Sequence, residues 1–379
     1  MTLAGLVAKN ALRNKRRSVP TMFSIAFSIL LLTLMMTLWR SFYIDQLGPA
    51  SALRLFTRTS VFFSYAIPTN YRQKIKSIRG VAAVAPLNLF NGVYKDGKAE
   101  NAFPQGGTDP NEFLKAYRDY EIPADQVVAW QKDPAGAIVE NALARQHGWQ
   151  PGERIVIQGK FFPVNLELTI RGIYKPPVPA RGIWFNWKYV EESVPYAKDD
   201  MYILLADSPQ DVTRIEGAVD RLFHNSPSPT RTETEKQLEL DFISMLGNVK
   251  AFILSICAAV VFAILLVSAN TMAMSIRERT REVALLRTLG FTRKLVLMLF
   301  LTEGVTLSLA GGVLGACAAY GLVYRMAHSS GSLAGILKVT PSTLLLVLAV
   351  AVLVGFLSVI APAYRASRMN IVESLRHIG

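Results

Sequence analysis

Cysteine, histidine and charged residues are few in this 379-residue chain, and each shortage excludes a class of protein. The two cysteines, Cys257 and Cys317, fall inside long apolar runs, which excludes a disulfide scaffold and a cysteine-ligated zinc site. The four histidines lack the paired spacing of a metal site. Charged residues make up 18% of the chain, hydrophobic residues 51%, and the mean hydropathy is +0.28. This composition predicts a membrane protein.

Sequence motifs of catalysis are also missing. Gly159-Lys160-Phe161 follows Gly152 at the wrong spacing for a P-loop, and Phe161 stands where Ser or Thr is required. No Gly-x-Ser-x-Gly motif is present. The acidic pairs at 191–192 and 199–200 lie in a proline-flanked polar stretch, which is typical of a solvated loop. We therefore predict that the chain itself supplies no catalytic residue, no metal ligand and no cofactor site.

Four apolar runs are long enough to cross about 30 Å of hydrocarbon as helices. They are residues 22–39, 252–274, 295–324 and 344–361. The first run follows a basic cluster, as a signal peptide would. It is longer than the roughly 7–15 apolar residues of a signal sequence, and residues 37–40 lack a small-x-small cleavage pattern. We therefore expect an uncleaved membrane anchor.

The distribution of charge predicts the orientation of these runs. Residues 41–250 contain 24 Lys and Arg and 24 Asp and Glu, whereas the short segments 1–20, 275–294 and 363–379 together contain 14 basic residues and 3 acidic ones. Basic residues concentrate on the cytoplasmic side of membrane proteins. Both termini are therefore predicted to be cytoplasmic and residues 41–250 external. Because the basic excess is explained in this way, a nucleic-acid partner is not expected.

The large external segment has mixed α and β patterns. Strands are predicted at 59–67, 80–86, 154–158, 165–173 and 201–205, and helices at 70–78, 111–117, 137–147 and 211–223. Residues 233–250 contain no proline, carry apolar residues at helical spacing and run directly into the second apolar run. They predict a stalk helix continuous with that run, with a bend at Gly247 as the alternative.

The short basic segment after the second apolar run has an amphipathic helical pattern. Ile276, Val283, Leu286 and Leu289 fall towards one side, and Arg277, Glu278, Arg281 and Glu282 lie largely on the other. Gly290 is a natural stop for the helix. Such a helix could lie on anionic lipid. An apolar ridge flanked by both signs of charge suits a groove on a partner protein better.

Three residues of the third apolar run have candidate roles. Gly311 and Gly315 form a Gly-x-x-x-Gly pattern, which allows a neighbouring helix to approach closely. Glu303 is a carboxylate about two turns into the run, where an unpaired charge is costly. Two roles are open for Glu303: pairing with a basic group near the cytoplasmic surface, or a direct part in transport.

Four motifs, in order along the chain, resemble those of the MacB/FtsX-like permeases of ABC transporters. Residues 277–290, Arg-Glu-Arg-Thr-Arg-Glu-Val-Ala-Leu-Leu-Arg-Thr-Leu-Gly, are similar to that family's R-E-R-x-x-E-I-x-x-L-R-x-L-G loop. The basic segment 10–17, the glycine-rich segment 303–315 and the Pro-Ala-x-Arg-Ala-x-Arg ending at 362–368, followed by 373–376, resemble further parts of the family. Residues 133–153 are more loosely similar to the external domain of MacB-type members.

The resemblance implies an α-helical membrane protein with four transmembrane helices and an α+β extracytoplasmic domain, a MacB-like periplasmic core, between the first and second helices. It implies these boundaries: a basic cytoplasmic helix at 1–20, spans at 21–40, 251–275, 292–324 and 342–362, an external domain at 41–250 ending in the stalk helix of about 233–250, a cytoplasmic coupling helix at 276–291, a short external loop at 325–341 and a cytoplasmic C-terminus at 363–379.

The resemblance also implies a function of the type VII, mechanotransmission class. A separate ABC ATPase dimer would bind ATP and Mg and move the external domain of a permease dimer, so that an envelope substrate such as a lipoprotein, drug or peptide is extruded. The alternative is an FtsX-like signalling permease that activates an external cell-wall hydrolase. The residues implied to couple to the ATPase are Arg277, Glu278, Arg281, Glu282, Val283, Leu286, Arg287, Leu289 and Gly290.

Several partners and one location follow from the same resemblance. The chain has no fused ATPase domain, so the ATPase must be another chain. A second permease copy or paralogue, the lipid membrane and a periplasmic adaptor or substrate carrier complete the expected partners. The expected location is the bacterial inner membrane.

Overall fold

The computed structural model describes residues 15–44, 48–61, 65–98, 101–160, 162–178, 181–194, 199–245, 247–328 and 337–367. These residues fall into two compact units. The helical unit comprises the described residues 15–44, 248–328 and 337–367, and the sheet unit comprises those between 48 and 247.

The described residues form twelve α-helices. They are α1 (Lys15–Tyr43), α2 (Tyr71–Lys76), α3 (Pro110–Ala116), α4 (Ala124–Lys132), α5 (Asn141–His147), α6 (Lys188–Ser193), α7 (Val212–Phe223), α8 (Glu235–Met245), α9 (Val249–Glu278), α10 (Thr280–Thr288), α11 (Arg293–His328) and α12 (Pro341–Ser367). Short 3-10 turns occupy Pro49–Leu53 and Pro209–Asp211.

Ten β-strands are present in the same residues. They are β1 (Arg54–Thr59), β2 (Val81–Leu89), β3 (Val93–Tyr94), β4 (Gln105–Thr108), β5 (Gly136–Glu140), β6 (Arg154–Gln158), β7 (Leu166–Tyr174), β8 (Ile183–Asn186), β9 (Met201–Ala206) and β10 (Thr230–Thr234). They form one mixed sheet in the order β10-β1-β9-β2-β4-β8-β5-β7-β6-β3. The pairs β4–β8 and β5–β7 are parallel, and the other neighbours are antiparallel.

Four helices of the helical unit, α1, α9, α11 and α12, are long and apolar enough to cross a membrane. They contain the four predicted apolar runs, and the sheet unit lies between the first and second of them in the chain. The predicted fold class is therefore confirmed. Ile25 and Ile29 of α1, Ile264 of α9 and Val354 of α12 share one apolar core of this unit.

Several predicted boundaries of the helical unit differ from those observed. The basic helix predicted at 1–20 has no end at residue 20, because α1 is continuous from Lys15; residues 1–14 lie outside the described part. The loop predicted at 325–341 begins later, since α11 continues to His328, and the C-terminal segment predicted from 363 is still helical up to Ser367. Residues 329–336 and 368–379 also lie outside the described part.

The strands predicted at 80–86, 154–158, 165–173 and 201–205, and the helices predicted at 70–78, 111–117 and 211–223, are confirmed with ends shifted by a few residues. The helix predicted at 137–147 is half wrong. Its first half is β5, whose Ala137 and Val139 enter one core while Ile138 enters the other. A strand buried on both faces is a continuous apolar run, which periodicity cannot separate from a buried helix.

The strand predicted at 59–67 is wrong at its described residues, because the strand is β1, which ends at Thr59; residues 62–64 lie outside the described part. All six residues of β1 are buried, although Arg54, Thr57 and Arg58 are polar. Their polar groups have partners from distant parts of the chain, as described below.

The single stalk helix predicted from 233 into the second apolar run is also wrong. Residues 233 and 234 belong to β10, α8 ends at Met245, and Gly247 has φ +96°, a left-handed value that favours glycine. Asn248 then begins α9, because its side chain accepts a hydrogen bond from the N–H of Ala251 at 2.9 Å. The alternative, a break at Gly247, is observed.

A buried polar cluster joins the end of β2 to the start of β9. Asn88 donates to Asp199 at 3.2 Å and accepts from the backbone N–H of Asp200 at 2.8 Å, and the N–H of Leu89 donates to the Asp200 carboxylate at 2.8 Å. Burial raises the pKa of Asp200 to about 6; Asp199 adds to this rise, and the hydrogen bond from Leu89 opposes it.

We expect the Asp200 carboxyl to make the sheet unit less stable as pH rises. Its pKa in the folded chain lies above the ordinary value of 3.8, so its contribution to stability is full below pH 3.8 and is lost as pH rises through about 6. Asp200→Asn should gain on the order of 2 kcal/mol relative to the natural chain between pH 4.5 and pH 7.5.

Urea unfolding of the full chain in detergent, followed by tryptophan fluorescence, measures this difference. Four of the five tryptophans, Trp130, Trp149, Trp184 and Trp187, lie in the sheet unit. Asp207→Asn is the matched control, because Asp207 is exposed just past the other end of β9. Equal pH dependence of unfolding in Asp200→Asn and the natural chain would contradict the prediction.

Candidate functional site

The segment predicted to couple to a partner is a short helix set between two long ones. The helix predicted at 276–291 begins later than expected, because residues 276–278 are the last turn of α9. Arg279 leaves the helical conformation, α10 follows, and Gly290, with φ +90°, ends it before α11. The helix therefore ends next to Gly290, as the sequence predicts.

An ion pair holds the junction between α9 and α10. Arg279 donates from one guanidinium nitrogen to both carboxylate oxygens of Glu303 on α11, at 3.0 and 2.8 Å. The side chain of Glu303 is 4% exposed and that of Arg279 is 15% exposed. Glu303 thus has the basic partner that one of its two open roles requires. Its partner is Arg279, on the loop that precedes α10.

The apolar residues of α10 divide into an inner and an outer group. Val283 and Ala284 are buried, and Val283 packs with Ile276 of α9 and Val296 of α11 in a core of the helical unit. The predicted ridge is therefore wrong for Ile276 and Val283, whose side chains face their own chain. The outer group is Leu285, 56% exposed, and Leu289, 75% exposed, which directly follows the last residue of α10.

The sequence analysis missed Leu285 because the predicted apolar ridge followed the face of α10 that packs against the rest of the chain. Leu285 and Leu289 are four residues apart and so lie on one face of a helix. Leu286 is half-buried. An anchored helix with an outward apolar pair has the form of a docking element.

The charged residues of the predicted site are spread over two elements. Arg277 and Glu278 are exposed at the end of α9, whereas Glu282 and Arg287 are half-buried on α10. The backbone of Arg281 lies in α10, and its side chain is outside the described part. Charged residues of both signs therefore lie on α10 and on the last turn of α9.

The two predicted packing glycines lie against the first apolar helix of the same chain. A Cβ atom at Gly315 would collide with the carbonyl oxygen of Ala26, and one at Gly311 would lie 2.9 Å from the carbonyl oxygen of Met22. Two glycines that the sequence analysis did not single out make similar approaches between α11 and α12. They are Gly304, against Val359, and Gly355, against Ser308.

Buried arginines attach α8 to the sheet, and the sequence analysis missed them. Arg54 of β1 donates to Glu235 of α8 and to Asp119, both at 2.7 Å, and its guanidinium lies 4.5 Å from the ring centre of Tyr117. Four residues later on β1, Arg58 pairs with Glu233 at 2.8 Å and with Asp241 of α8 at 3.1 Å.

A third arginine completes this arginine clamp, which we define as Arg54, Arg58, Arg231 and their carboxylate partners. Arg231 of β10 pairs with Asp241 at 2.7 Å. Leu238 of α8 adds an apolar contact to the sheet core. The residues of the clamp come from distant parts of the chain: Arg54 and Arg58 lie on β1, Asp119 follows α3, and the others lie between residues 231 and 241. Spacing along the chain could therefore not reveal them.

Two families of known domains match this chain. Residues 18–222, more than half of it, match the MacB-like periplasmic core domain. Residues 252–371 match the FtsX-like permease C-terminal region.

Individual relatives agree with these matches. The macrolide export ATP-binding/permease protein MacB of Shewanella oneidensis is 25% identical over 321 residues, which cover 79% of this chain and 47% of the relative. The ABC transporter permease YknZ of Bacillus subtilis is 32% identical over 138 residues, which cover 35% of this chain and 34% of the relative. The aligned part is less than half the length of each of these relatives.

Two solved structures are also similar to parts of the chain. The extracellular domain of YknZ from Gram-positive bacteria gives a TM-score of 0.37 at 11% identity, covering 48% of this chain and 99% of that one. The periplasmic region of MacB from Actinobacillus actinomycetemcomitans gives 0.39 at 6% identity, covering 50% and 92%. With the family match over residues 18–222 and the permease match that follows it, the chain belongs to the ABC transporter permeases of the MacB/FtsX type.

Proposed function

We propose that this permease couples ATP hydrolysis by a separate ATPase subunit to movement of its sheet unit, and thereby extrudes a substrate from the cell envelope. The observation that carries the proposal is the form of α10. Val283 packs its inner face against α9 and α11, while Leu285 and Leu289 are exposed to solvent, and α10 carries charged residues of both signs. ATP and Mg would bind to the partner subunit, whose groove would receive this outer face.

The charge distribution supports a cytoplasmic position for α10. The basic segments 1–20, 275–294 and 363–379 adjoin apolar helices, whereas the sheet unit's part of the chain is balanced in charge. In this orientation both termini and α10 lie in the cytoplasm and the sheet unit lies outside, in the bacterial inner membrane. A second permease copy or paralogue, and an adaptor or substrate carrier, remain proposed partners.

The arginine clamp supports the mechanical part of the proposal. Because α8 immediately precedes α9 in the chain, a movement of α9 would displace α8 before any other element of the sheet unit. Arg54 and Arg58 tie α8 to β1, and β1 lies between β10 and β9 in the sheet. A displacement of α8 would therefore be transmitted to the sheet rather than absorbed by a loose helix.

The size of the sheet unit favours extrusion over the signalling alternative. It has ten strands and lies in the match to a MacB-like periplasmic core. The resemblance implies a smaller external region for FtsX-like chains. The proposed substrate is therefore an envelope molecule such as a lipoprotein, drug or peptide.

We expect Leu289→Asp to abolish capture of the ATPase subunit. Leu289 is exposed, so the substitution should cost the isolated chain little stability, whereas a charge in a desolvated groove should weaken docking at least about tenfold. Mass spectrometry of the proteins that co-purify with the tagged full chain in mild detergent measures this. Leu286→Asp tests the half-buried neighbour in the same way.

Leu222→Asp is the matched control, because Leu222 is an exposed helical leucine of the sheet unit, 50% exposed. It should retain the ATPase at the level of the natural chain. An ATPase captured equally by the natural chain and by Leu289→Asp would refute the docking role of α10. If the natural chain captures none while it remains intact, the coupling proposal itself fails.

A further inference from the structure

A groove with a basic end opens between α9 and α12 in the helical unit. A cavity of 640 Å³ is lined by Ala269, Ala273 and Arg277 of α9 and by Pro362 and Arg365 of α12. Arg277 lies near the end of α9 and Arg365 near the end of α12, so both helices bring their C-terminal ends to the same place. A second cavity, of 790 Å³, adjoins it through shared residues.

Two arginines give the groove a positive charge that no carboxylate in the described part of the chain neutralises by an ion pair. Arg277 and Arg365 are both exposed, and within the described part of the chain neither forms an ion pair with a carboxylate. Among the described residues, no acidic side chain lines the 640 Å³ cavity. Glu278 lines the adjoining 790 Å³ cavity and does not line the 640 Å³ cavity. An anion in the first cavity would therefore meet two guanidinium groups, which suit the oxygen atoms of a phosphate.

The polarity of the groove changes along α9. Arg277 marks the basic end; Asn270, an exposed amide that lines both cavities, lies seven residues away, or about 10 Å along a helix. Leu266, about 16 Å from Arg277 along the helix, lines the far end with Ala269. A charged group, a hydrogen-bonding group and an apolar wall thus follow one another at the depths of a phosphate, an ester carbonyl and an acyl chain.

We propose that this groove is a binding site for one anionic phospholipid. Arg277 and Arg365 bind the phosphate, Asn270 donates to an ester carbonyl, and the acyl chain lies along Leu266 and Ala269. Basic pockets between membrane helices on the cytoplasmic side are a known form of lipid site. The location of this lipid in the cytoplasmic leaflet rests on the proposed orientation of the chain; binding itself does not.

The position of the site gives the lipid a defined effect. Arg277 is two residues before Arg279, where α9 ends and the chain turns into α10. A bound phosphate would hold the end of α9 against α12 next to this turn. The lipid would thereby favour one position of α10 relative to the long helices.

The test is native mass spectrometry of the purified full chain in detergent, titrated with phosphatidylglycerol or with phosphatidylcholine of the same acyl chains. The natural chain should bind phosphatidylglycerol about tenfold more tightly, and the double variant Arg277→Gln, Arg365→Gln should lose this preference. Arg293→Gln, which removes an exposed basic residue at the start of α11, is the matched control and should change the preference less than about threefold.

Two further variants separate charge from folding. Ala273→Trp fills the groove with both arginines in place and should also lose the preference, whereas Arg277→Lys, Arg365→Lys should keep most of it. Equal binding of the two lipids by the natural chain, or an unchanged preference in the double glutamine variant, would overturn the proposal. If that variant loses the ATPase but keeps the lipid preference, the groove belongs to the ATPase.

The lipid measurement uses the chain without its partner, so its result is independent of the coupling proposal. Retention of the ATPase by Leu289→Asp would refute coupling through α10 and leave the lipid site standing. Equal binding of the two lipids by the natural chain would refute the site and leave the coupling proposal standing.

Discussion

Replacing Gly315 by leucine should prevent the helical unit from reaching its folded packing. A Cβ atom at this position would collide with the carbonyl oxygen of Ala26 and lie 3.0 Å from the backbone nitrogen of Leu30. These are backbone atoms of α1, which cannot rotate away as a flexible side chain would. We expect a loss of at least about 3 kcal/mol, since overpacking normally costs 1–3 kcal/mol even where neighbours adjust.

Size-exclusion chromatography and thermal melting of the full chain in detergent measure this effect. Gly315→Ala should already lower the melting temperature, because the collision involves the first side-chain carbon alone. Gly321→Leu is the matched control on the same helix, because a Cβ atom there meets nothing within 4 Å. A Gly315→Leu chain that elutes and melts like the Gly321→Leu chain would show that α1 and α11 do not pack as described.

The four apolar helices could be predicted because length and composition alone determine whether a helix can cross a membrane. The site around α10 could be located, because motif and charge pointed to residues 276–290. The face of α10 could not be chosen correctly. Val283 and Leu285 are both apolar, and which of them faces inwards depends on where α9 ends; Arg279 ends it through an ion pair with Glu303, 24 residues away.

The sheet unit shows the same limit. The half-exposed strands β6 and β7 alternate in polarity and were predicted, whereas β5 is buried on both faces and was taken for a helix. Arg54 and Arg58 of β1 interrupt the apolar pattern by which a buried strand is recognised. Their burial is possible because Asp119, Glu233, Glu235 and Asp241 neutralise them, and those contacts exist only in the folded chain.

Replacing Arg54 by methionine should destabilise the sheet unit by about 3–5 kcal/mol. Arg54 is 3% exposed and lies between the carboxylates of Asp119 and Glu235. Without the guanidinium the two carboxylates would repel each other in a desolvated site. Burial already raises the pKa of Glu235 even with Arg54 and its hydrogen bond opposing that rise, so the site tolerates an unpaired carboxylate poorly.

The loss caused by Arg54→Met should depend on pH in a known direction. Without the guanidinium, the pKa of Glu235 should rise further, so the penalty is largest where the carboxylates are ionised and becomes smaller as pH falls and they take up protons. Urea unfolding followed by tryptophan fluorescence at pH 7.5 and pH 5 measures it. Lys175→Met is the control for a surface pair, since Lys175 and Glu121 are 61% and 73% exposed and should contribute less than about 1 kcal/mol.

A double-mutant cycle with Glu235→Gln separates the ion pair from the loss of packing. If the clamp acts as described, Arg54→Met should cost much less when Glu235 is already neutral, giving a coupling energy of about 1–3 kcal/mol. A coupling energy near zero would mean that Arg54 contributes through contacts other than Glu235. Arg54→Met also tests whether force passes through the clamp. If the Arg54→Met chain still captures the ATPase through α10 but no longer drives extrusion, the mechanical link lies at the attachment of α8 to β1.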